Sequence, residues 1–399
     1  MKTWRMMVVS GLCAVPATTW GADRGGSATT AKDVFPGSVR LLLPRMIHAV
    51  PGVEMNVYFD NVTLVLNPAN YAFDVTCAKG IQQAERWTFT ASDKDVGSHA
   101  FVLEVRDATN RLVARARSTV NVVKRGAGAG RPITALLIGD SLTHASVYSQ
   151  HLLDLCGKPA NPSLTLIGSH VPNADRPANR HEGYGGWTAK RFATHYTGVA
   201  RTGPPRKRGS PFIYEDADGK RHLDFARYCR DVNGGKAPDF VTIFLGCNDT
   251  FSATDQNIEE RIAEMFSHLD ALVQMVRRTD AATRIGLVLL VPPAGSQDAF
   301  GANYRCGQTR WQYKRNQHRV VGRMIERYGG RGKEGIGLIP AFVNLDCRHN
   351  YPGRKAPWNQ RASSSGTRLC NGVHPSAEGY RQIGDSIYCW LKAALAGAK

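Results

Sequence analysis

The feature that most restricts the fold is a rhythm that begins near residue 132. Four apolar runs, at 133–138, 164–167, 240–245 and 285–291, are each too short for an ordinary helix. They are apolar at consecutive positions, so both faces of each run need cover. Helical spacing of apolar residues fills the intervals and the end of the chain, near 145–155, 187–195, 258–278, 311–328 and 377–396. Strands buried on both faces that alternate with helices predict a parallel sheet sheathed in helices. In such sheets ligands gather beyond the carboxyl ends of the strands. Chemistry is therefore sought in the segments that follow each run.

Upstream the rhythm is different. Short β-type runs at 38–43, 55–59, 62–66, 71–76, 86–90, 101–105 and 117–123 are separated by turn signals such as Asn67-Pro68. They predict a small all-β sandwich over 35–124, and the glycine-rich stretch 125–131 reads as a linker to an α/β part at 132–397. At the front, Lys2 and Arg5 precede a short apolar stretch at 6–15, followed by small residues at Gly21 and Ala22. That is the layout of a secretory signal peptide over 1–22, with a flexible Gly/Ala/Ser/Thr-rich segment at 23–34. The expected location is secreted or periplasmic. No run reaches the roughly 18 apolar residues of a membrane span, so no stable membrane insertion is expected after cleavage.

Of nine cysteines, Cys13 falls in the signal, leaving Cys77, Cys156, Cys229, Cys247, Cys306, Cys347, Cys370 and Cys389. An even count in an exported chain predicts disulfides, the alternative being small buried apolar residues. No CxxC pair or His/Cys cluster has zinc spacing, so no metal site is expected.

The chain carries 51 Lys and Arg against 33 Asp and Glu, a net charge of +18. No zinc-finger, RNA-recognition or helix-turn-helix signature accompanies it, which argues against a nucleic-acid partner. The charge collects at 201–208 and at 305–333, where nine Lys and Arg face a single acid, Glu326. Tyr313, Val320, Val321, Met324, Ile325 and Tyr328 recur there at helical spacing, predicting an amphipathic helix with a basic face. Such a face either keeps the protein solvated or attracts an anionic glycan.

Four segments carry chemistry. The first apolar run ends in Gly139-Asp140-Ser141, where a serine hydroxyl and its backbone N–H face a cleft. Glu182-Gly183-Tyr184-Gly185-Gly186-Trp187 is a glycine turn with a free backbone N–H. Leu245-Gly246-Cys247-Asn248-Asp249 sets an amide directly after another run. Asn371-Gly372-Val373-His374 precedes the last helix. Together they offer a nucleophile, a base and oxyanion donors.

These blocks, in this order, resemble the SGNH or GDSL hydrolase family, whose four motifs carry Ser, Gly, Asn and His. The resemblance spans about 132–397 and implies a three-layer α/β/α fold with a central parallel sheet. It implies Ser141 as nucleophile and His374 as general base, with no metal or cofactor. The oxyanion hole would be the N–H groups of Ser141 and Gly186, with Gly185 as second choice, and the side-chain amide of Asn248. Where the family has an aspartate to orient the histidine, this chain has Asn371. Either a Ser-His dyad operates, or a backbone carbonyl or another acid such as Asp346 takes that place. Asp140 and Asp249 read as loop braces, and Asp249, Tyr304 and Trp311 are also candidates for substrate contact. The implied reaction is ester hydrolysis through an acyl-enzyme. Exported relatives with an added β-sandwich favour O-acetyl groups on a poly- or oligosaccharide. Lipid, aryl and thioester substrates stand as alternatives, as does a non-catalytic carbohydrate-binding envelope protein.

Overall fold

The computed structural model describes residues 39–198 and 209–397. The expected signal at 1–22, the segment 23–34 and the basic stretch 201–208 lie outside the described residues.

The first described region contains β1 (Met46–Ala49), β2 (Glu54–Tyr58), the one-turn helix α1 (Phe59–Val62), β3 (Ala72–Cys77), β4 (Ile81–Gln82), β5 (Arg86–Thr90), β6 (Gly97–Arg106) and β7 (Leu112–Val122). They build two sheets, ordered β1-β7-β6-β3 and β2-β5-β4, and none of these strands joins the parallel sheet. Phe101, Leu103 and Val105 on β6 are buried while their neighbours are only half-buried, the period-2 pattern of a one-sided sheet. Trp87 on β5 meets Phe101 edge to face, with ring centroids 5.1 Å apart, which closes one sheet on the other. The run 62–66 is not a strand; apart from an isolated bridge between Thr63 and Leu41, it pairs with nothing. Tertiary contacts override its β-branched composition, because Asn61 Nδ2 donates to the carbonyls of Phe342 and Leu345 at 2.8 and 2.7 Å and fixes the preceding turn.

The remaining chain gives β8 (Pro132–Gly139), α2 (Ser141–His144), α3 (Val147–Cys156), β9 (Ser163–Ile167), β10 (Glu182–Gly183) and α4 (Ala189–Thr194). Then come the hairpin β11 (Ile213–Glu215) and β12 (Arg221–Leu223), α5 (Phe225–Asn233), β13 (Phe240–Phe244), α6 (Cys247–Thr250), α7 (Ile258–Thr279) and β14 (Arg284–Val288). α8 (Gln297–Tyr304), α9 (Arg310–Tyr328), β15 (Ile336–Ile339), α10 (Ala341–Asn344), the hairpin β16 (Gly353–Pro357) and β17 (Ser365–Leu369), and α11 (Ala377–Ala396) complete it. The expected parallel sheet is present, ordered β10-β8-β13-β14-β15, with β9 beside the first half of β8. Phe244 and Gly183 both pair with Gly139, so β8, β10 and β13 end level. Helices α3 and α11 pack together on the sheet, and α7 packs with α4, α5 and α6. Residues Phe35–Lys399 form one compact unit.

Two expectations change. All eight cysteines of the described chain are free thiols, so the expected disulfides are absent among the described residues. Most act as small buried residues instead: Cys389 lies against Met55, and Cys247 Sγ sits 3.0 Å from the Tyr313 hydroxyl. The basic face of α9 is solvated, but its cations are ion-paired. Arg315 pairs with Asp255, Arg319 and Arg323 with Glu259, Arg327 with Asp270, and Arg310 and Lys314 with Asp60.

Candidate functional site

Ser141 stands where β8 gives way to α2. Asp140 is the N-cap of that helix, its Oδ1 accepting from Leu142 N at 2.9 Å. Glycine is needed at 139, because a Cβ there would lie 1.9 Å from Thr143 Oγ1. The loop that carries His374 is set by Asn371, whose Oδ1 accepts from the N–H groups of Val373 and His374 at 3.1 and 2.9 Å. Asn303 Oδ1 accepts from Gly372 N at 2.9 Å and braces the same loop from α8. The outcome is a 2.8 Å contact between His374 Nε2 and Ser141 Oγ, across 233 residues of sequence. That is hydrogen-bond reach for a base and its nucleophile.

The other two blocks meet at the same strand ends. β10 runs into the turn at Gly185 and Gly186, both exposed, and Gly186 has φ +75°, a conformation that side chains rarely adopt. The N–H groups of Ser141 and Gly186 donate to no acceptor among the described residues. Asn248 opens α6 and spans the two segments: its Nδ2 donates to Asp140 Oδ2 and to the Trp187 carbonyl, each at 3.1 Å. Both of its amide hydrogens are thus engaged. An oxyanion would receive one only in exchange for an acceptor already held.

Burial governs the electrostatics. It holds His374 below the ordinary imidazole value, favouring the neutral form a base requires. Burial, reinforced by the charge of Asp249, lifts Asp140 to about 7, and burial lifts Asp249 to about 6. His374 Nδ1 meets no partner among the described residues. Asn371 faces the backbone instead, and Asp346 is held by the N–H groups of Arg348 and His349, the His349 ring and the Tyr58 hydroxyl.

The substrate-contact candidates separate. Asp249, which is half-buried, accepts from Ala189 N at 3.0 Å at the start of α4. Tyr304 packs against Phe251 and Phe300, part of the apolar cluster with Cys247, Tyr313 and Val373 that underlies Asn248 and His374. Trp311 lines a different cavity of about 470 Å³ with Arg40, Leu66, Asn67 and Tyr71, none of which belongs to the Ser141 group. The sequence reading missed a polar cavity of about 320 Å³ on the flank of α2, lined by His144, Ser146, Gln150, Arg176 and Arg381 among others. Its parts lie on separate elements, and only the helical spacing of Val147, Gln150, His151 and Asp154 hinted at a shared face. His144 and His170 stack with centroids 5.1 Å apart, and no group of His, Cys, Asp or Glu among the described residues could hold a metal ion.

Residues 137–382 match the family model of the GDSL-like lipase/acylhydrolase family. Among solved structures, the chain is similar to a family 3 carbohydrate esterase of Clostridium thermocellum, with 16% identity, 67% of this chain and 100% of that chain covered, and a TM-score of 0.39. It is also similar to a carbohydrate esterase family 3 protein of Talaromyces cellulolyticus, with 17% identity, 67% and 100% coverage and a TM-score of 0.37. A carbohydrate acetylesterase family member of Sinorhizobium meliloti has 16% identity, 66% and 99% coverage and a TM-score of 0.38. No curated protein matches.

Proposed function

We propose that this chain, which belongs to the GDSL-like lipase/acylhydrolase family, is an exported serine esterase that removes O-acetyl groups from a poly- or oligosaccharide. The observation that carries the reaction class is the 2.8 Å contact between Ser141 Oγ and His374 Nε2 beside two unengaged backbone N–H groups. Ser141 Oγ attacks the ester carbonyl carbon while its proton passes to His374 Nε2. The carbonyl oxygen becomes an oxyanion and takes hydrogen bonds from the N–H groups of Ser141 and Gly186. Asn248 holds those donors in register and contributes its amide by exchanging the Trp187 carbonyl for the oxyanion. The tetrahedral centre collapses as the C–O bond to the alcohol breaks, and His374 returns its proton to the departing oxygen. Water, deprotonated by His374, then releases acetate from Ser141.

The carbohydrate reading draws on the surroundings. Beyond the other end of α2, a cavity that none of Ser141, Gly186, Asn248 or His374 lines offers imidazole, hydroxyl, amide and guanidinium groups to sugar hydroxyls, beside the carboxylate of Asp154 and the apolar Val147 and Pro172. The reaction is tested with p-nitrophenyl acetate: Ser141→Ala and His374→Ala should each lose at least ~100-fold in rate. A Ser141→Ala protein as fast as wild type removes Ser141 from the mechanism. Acetate release from acetylated glycans, set against long-chain acyl esters, tests the substrate, and a preference for long chains defeats the carbohydrate reading.

A further inference from the structure

We infer that the β16–β17 hairpin is a docking arm for an anionic polysaccharide, the polymer that carries the ester; this rests on the esterase reading above and narrows its substrate class. The arm grows out of the loop that holds His374. Its root is closed by Cys370 N donating to the Pro352 carbonyl at 2.7 Å, and Ser376 N donates to the Asn350 carbonyl at 3.0 Å. His374 therefore lies between two hydrogen bonds that fix the base of the hairpin. The arm and the proposed base are thus joined through one short segment of chain.

Much of the charge on the arm has no internal use. Residues 353–369 include Arg354, Lys355, Arg361 and Arg368 and contain no acid. Arg368 reaches Asp298 on α8 at 3.1 Å, but Arg354, Lys355 and Arg361 are exposed and form no ion pair among the described residues. The contrast with α9, whose cations are paired one after another, is direct. The ladder also sets Arg354 opposite Arg368, a like-charge cross-strand pair that weakens a hairpin. Asp298 and the Trp358 carbonyl compensate Arg368, but no ion pair among the described residues compensates Arg354, which points to a partner outside the chain.

The tip adds an aromatic surface. Trp358 is 52% exposed, one of few large apolar side chains so displayed. It is seated on Gly366, where a Cβ would lie 2.1 Å from the ring, and the Arg368 guanidinium stands 5.4 Å from its centroid. The exposed indole offers a face on which a sugar ring stacks, and the unpaired Arg354, Lys355 and Arg361 offer charge to the polymer's carboxylates. The shape is that of an extended, solvent-facing arm rather than a pocket, which suits a polymer rather than a single sugar.

The test compares acetylated polygalacturonate with acetylated xylan at low and high ionic strength, with p-nitrophenyl acetate as the small ester. Wild type should favour the anionic polymer and lose that preference as salt rises. The Arg354→Glu/Lys355→Glu/Arg361→Glu protein should lose about tenfold in the ratio of anionic-polymer to p-nitrophenyl acetate turnover and show a flatter salt dependence. Arg278→Glu, on the exposed side of α7, changes net charge away from the arm and should keep the wild-type ratio. Equal use of both polymers without salt dependence, or a triple variant that behaves like Arg278→Glu, overturns the inference. A readout independent of catalysis is retardation of Ser141→Ala in gels containing polygalacturonate, lost in the triple variant. Equal retardation by DNA, or binding to anionic vesicles, also overturns it. Absence of p-nitrophenyl acetate hydrolysis by wild type would instead sink the esterase reading while leaving the retardation result to stand.

Discussion

Asp140 is the residue whose replacement gives the clearest number. It is 1% exposed, next to the nucleophile, and its carboxyl is held up at about 7 chiefly by burial. A raised value means that the folded state binds the proton more tightly than the unfolded chain does. The stability this group contributes is therefore complete below about pH 4 and is lost as pH rises through about 7. Between about pH 5 and pH 8 the folded carboxyl releases a proton that the unfolded one has already lost. Of those three units, the two below the folded value of about 7 carry the linkage, or about 2–3 kcal/mol. Asp140→Asn removes the titration while preserving shape. Its carboxamide oxygen still accepts from Leu142 N, but its Nδ2 confronts the amide of Asn248, costing roughly 1–3 kcal/mol at either pH. That cost cancels when differences are compared. Urea unfolding of both proteins at the two pH values should show the variant gaining about 2–3 kcal/mol on wild type from pH 5 to pH 8. A stability difference that is the same at both values would refute the reasoning.

Three further outcomes are expected. Because burial depresses His374, the acid limb of the kcat/KM profile for p-nitrophenyl acetate should have its midpoint below about 6.5, rate rising with pH as the imidazole becomes neutral; a midpoint at or above that value contradicts the assignment. Asp60→Ala should lower stability by about 3–5 kcal/mol in urea, since it strands Lys314, whose side chain is 1% exposed, and Asp60→Ala/Lys314→Met should recover most of the loss. Asn371→Asp keeps an acceptor for the N–H groups of Val373 and His374 and should stay within about threefold of wild-type kcat, whereas Asn371→Ala should unfold about 1–3 kcal/mol more easily.

What was legible in the chain depended on length and on locality. Helices α7 and α11 were readable because twenty or more residues repeat the same buried stripe. The strands β8, β13 and β14 were readable because burial on both faces leaves an unbroken apolar run. β15 escaped because Gly337 interrupts its four residues and Gly335 precedes them, and β10 because it has only two. The hairpin β16–β17 carried no apolar alternation, so only its cations and Trp358 marked it. The charge of α9 misled for a different reason. Composition counts cations, but exposure depends on partners, and those of α9 come from α7, α1 and the loop before α7, distant in sequence.

The departure at position 371 shows where a sequence stops and a structure must continue. Motif order states which residue stands three before the histidine; it does not state where that side chain points. Asn371 points its oxygen at the backbone of Val373 and His374, so it shapes the loop rather than the ring. Had its amide faced Nδ1 as a donor, it would have forced the proton onto Nε2, the wrong tautomer for accepting from Ser141. Because it does not, nothing in Asn371 opposes the tautomer with its proton on Nδ1, the one in which Nε2, 2.8 Å from the Ser141 hydroxyl, can accept its proton. Asp346, the other acid weighed for the role, spends its oxygens on His349, Tyr58 and two backbone N–H groups. In the proposed mechanism, the imidazolium that forms during attack then has no carboxylate beside it among the described residues, and the dyad relies on the donors of Ser141 and Gly186. Those donors stabilise the oxyanion, the negative partner of the same transition state, and so share the load that a triad divides between its acid and its hole.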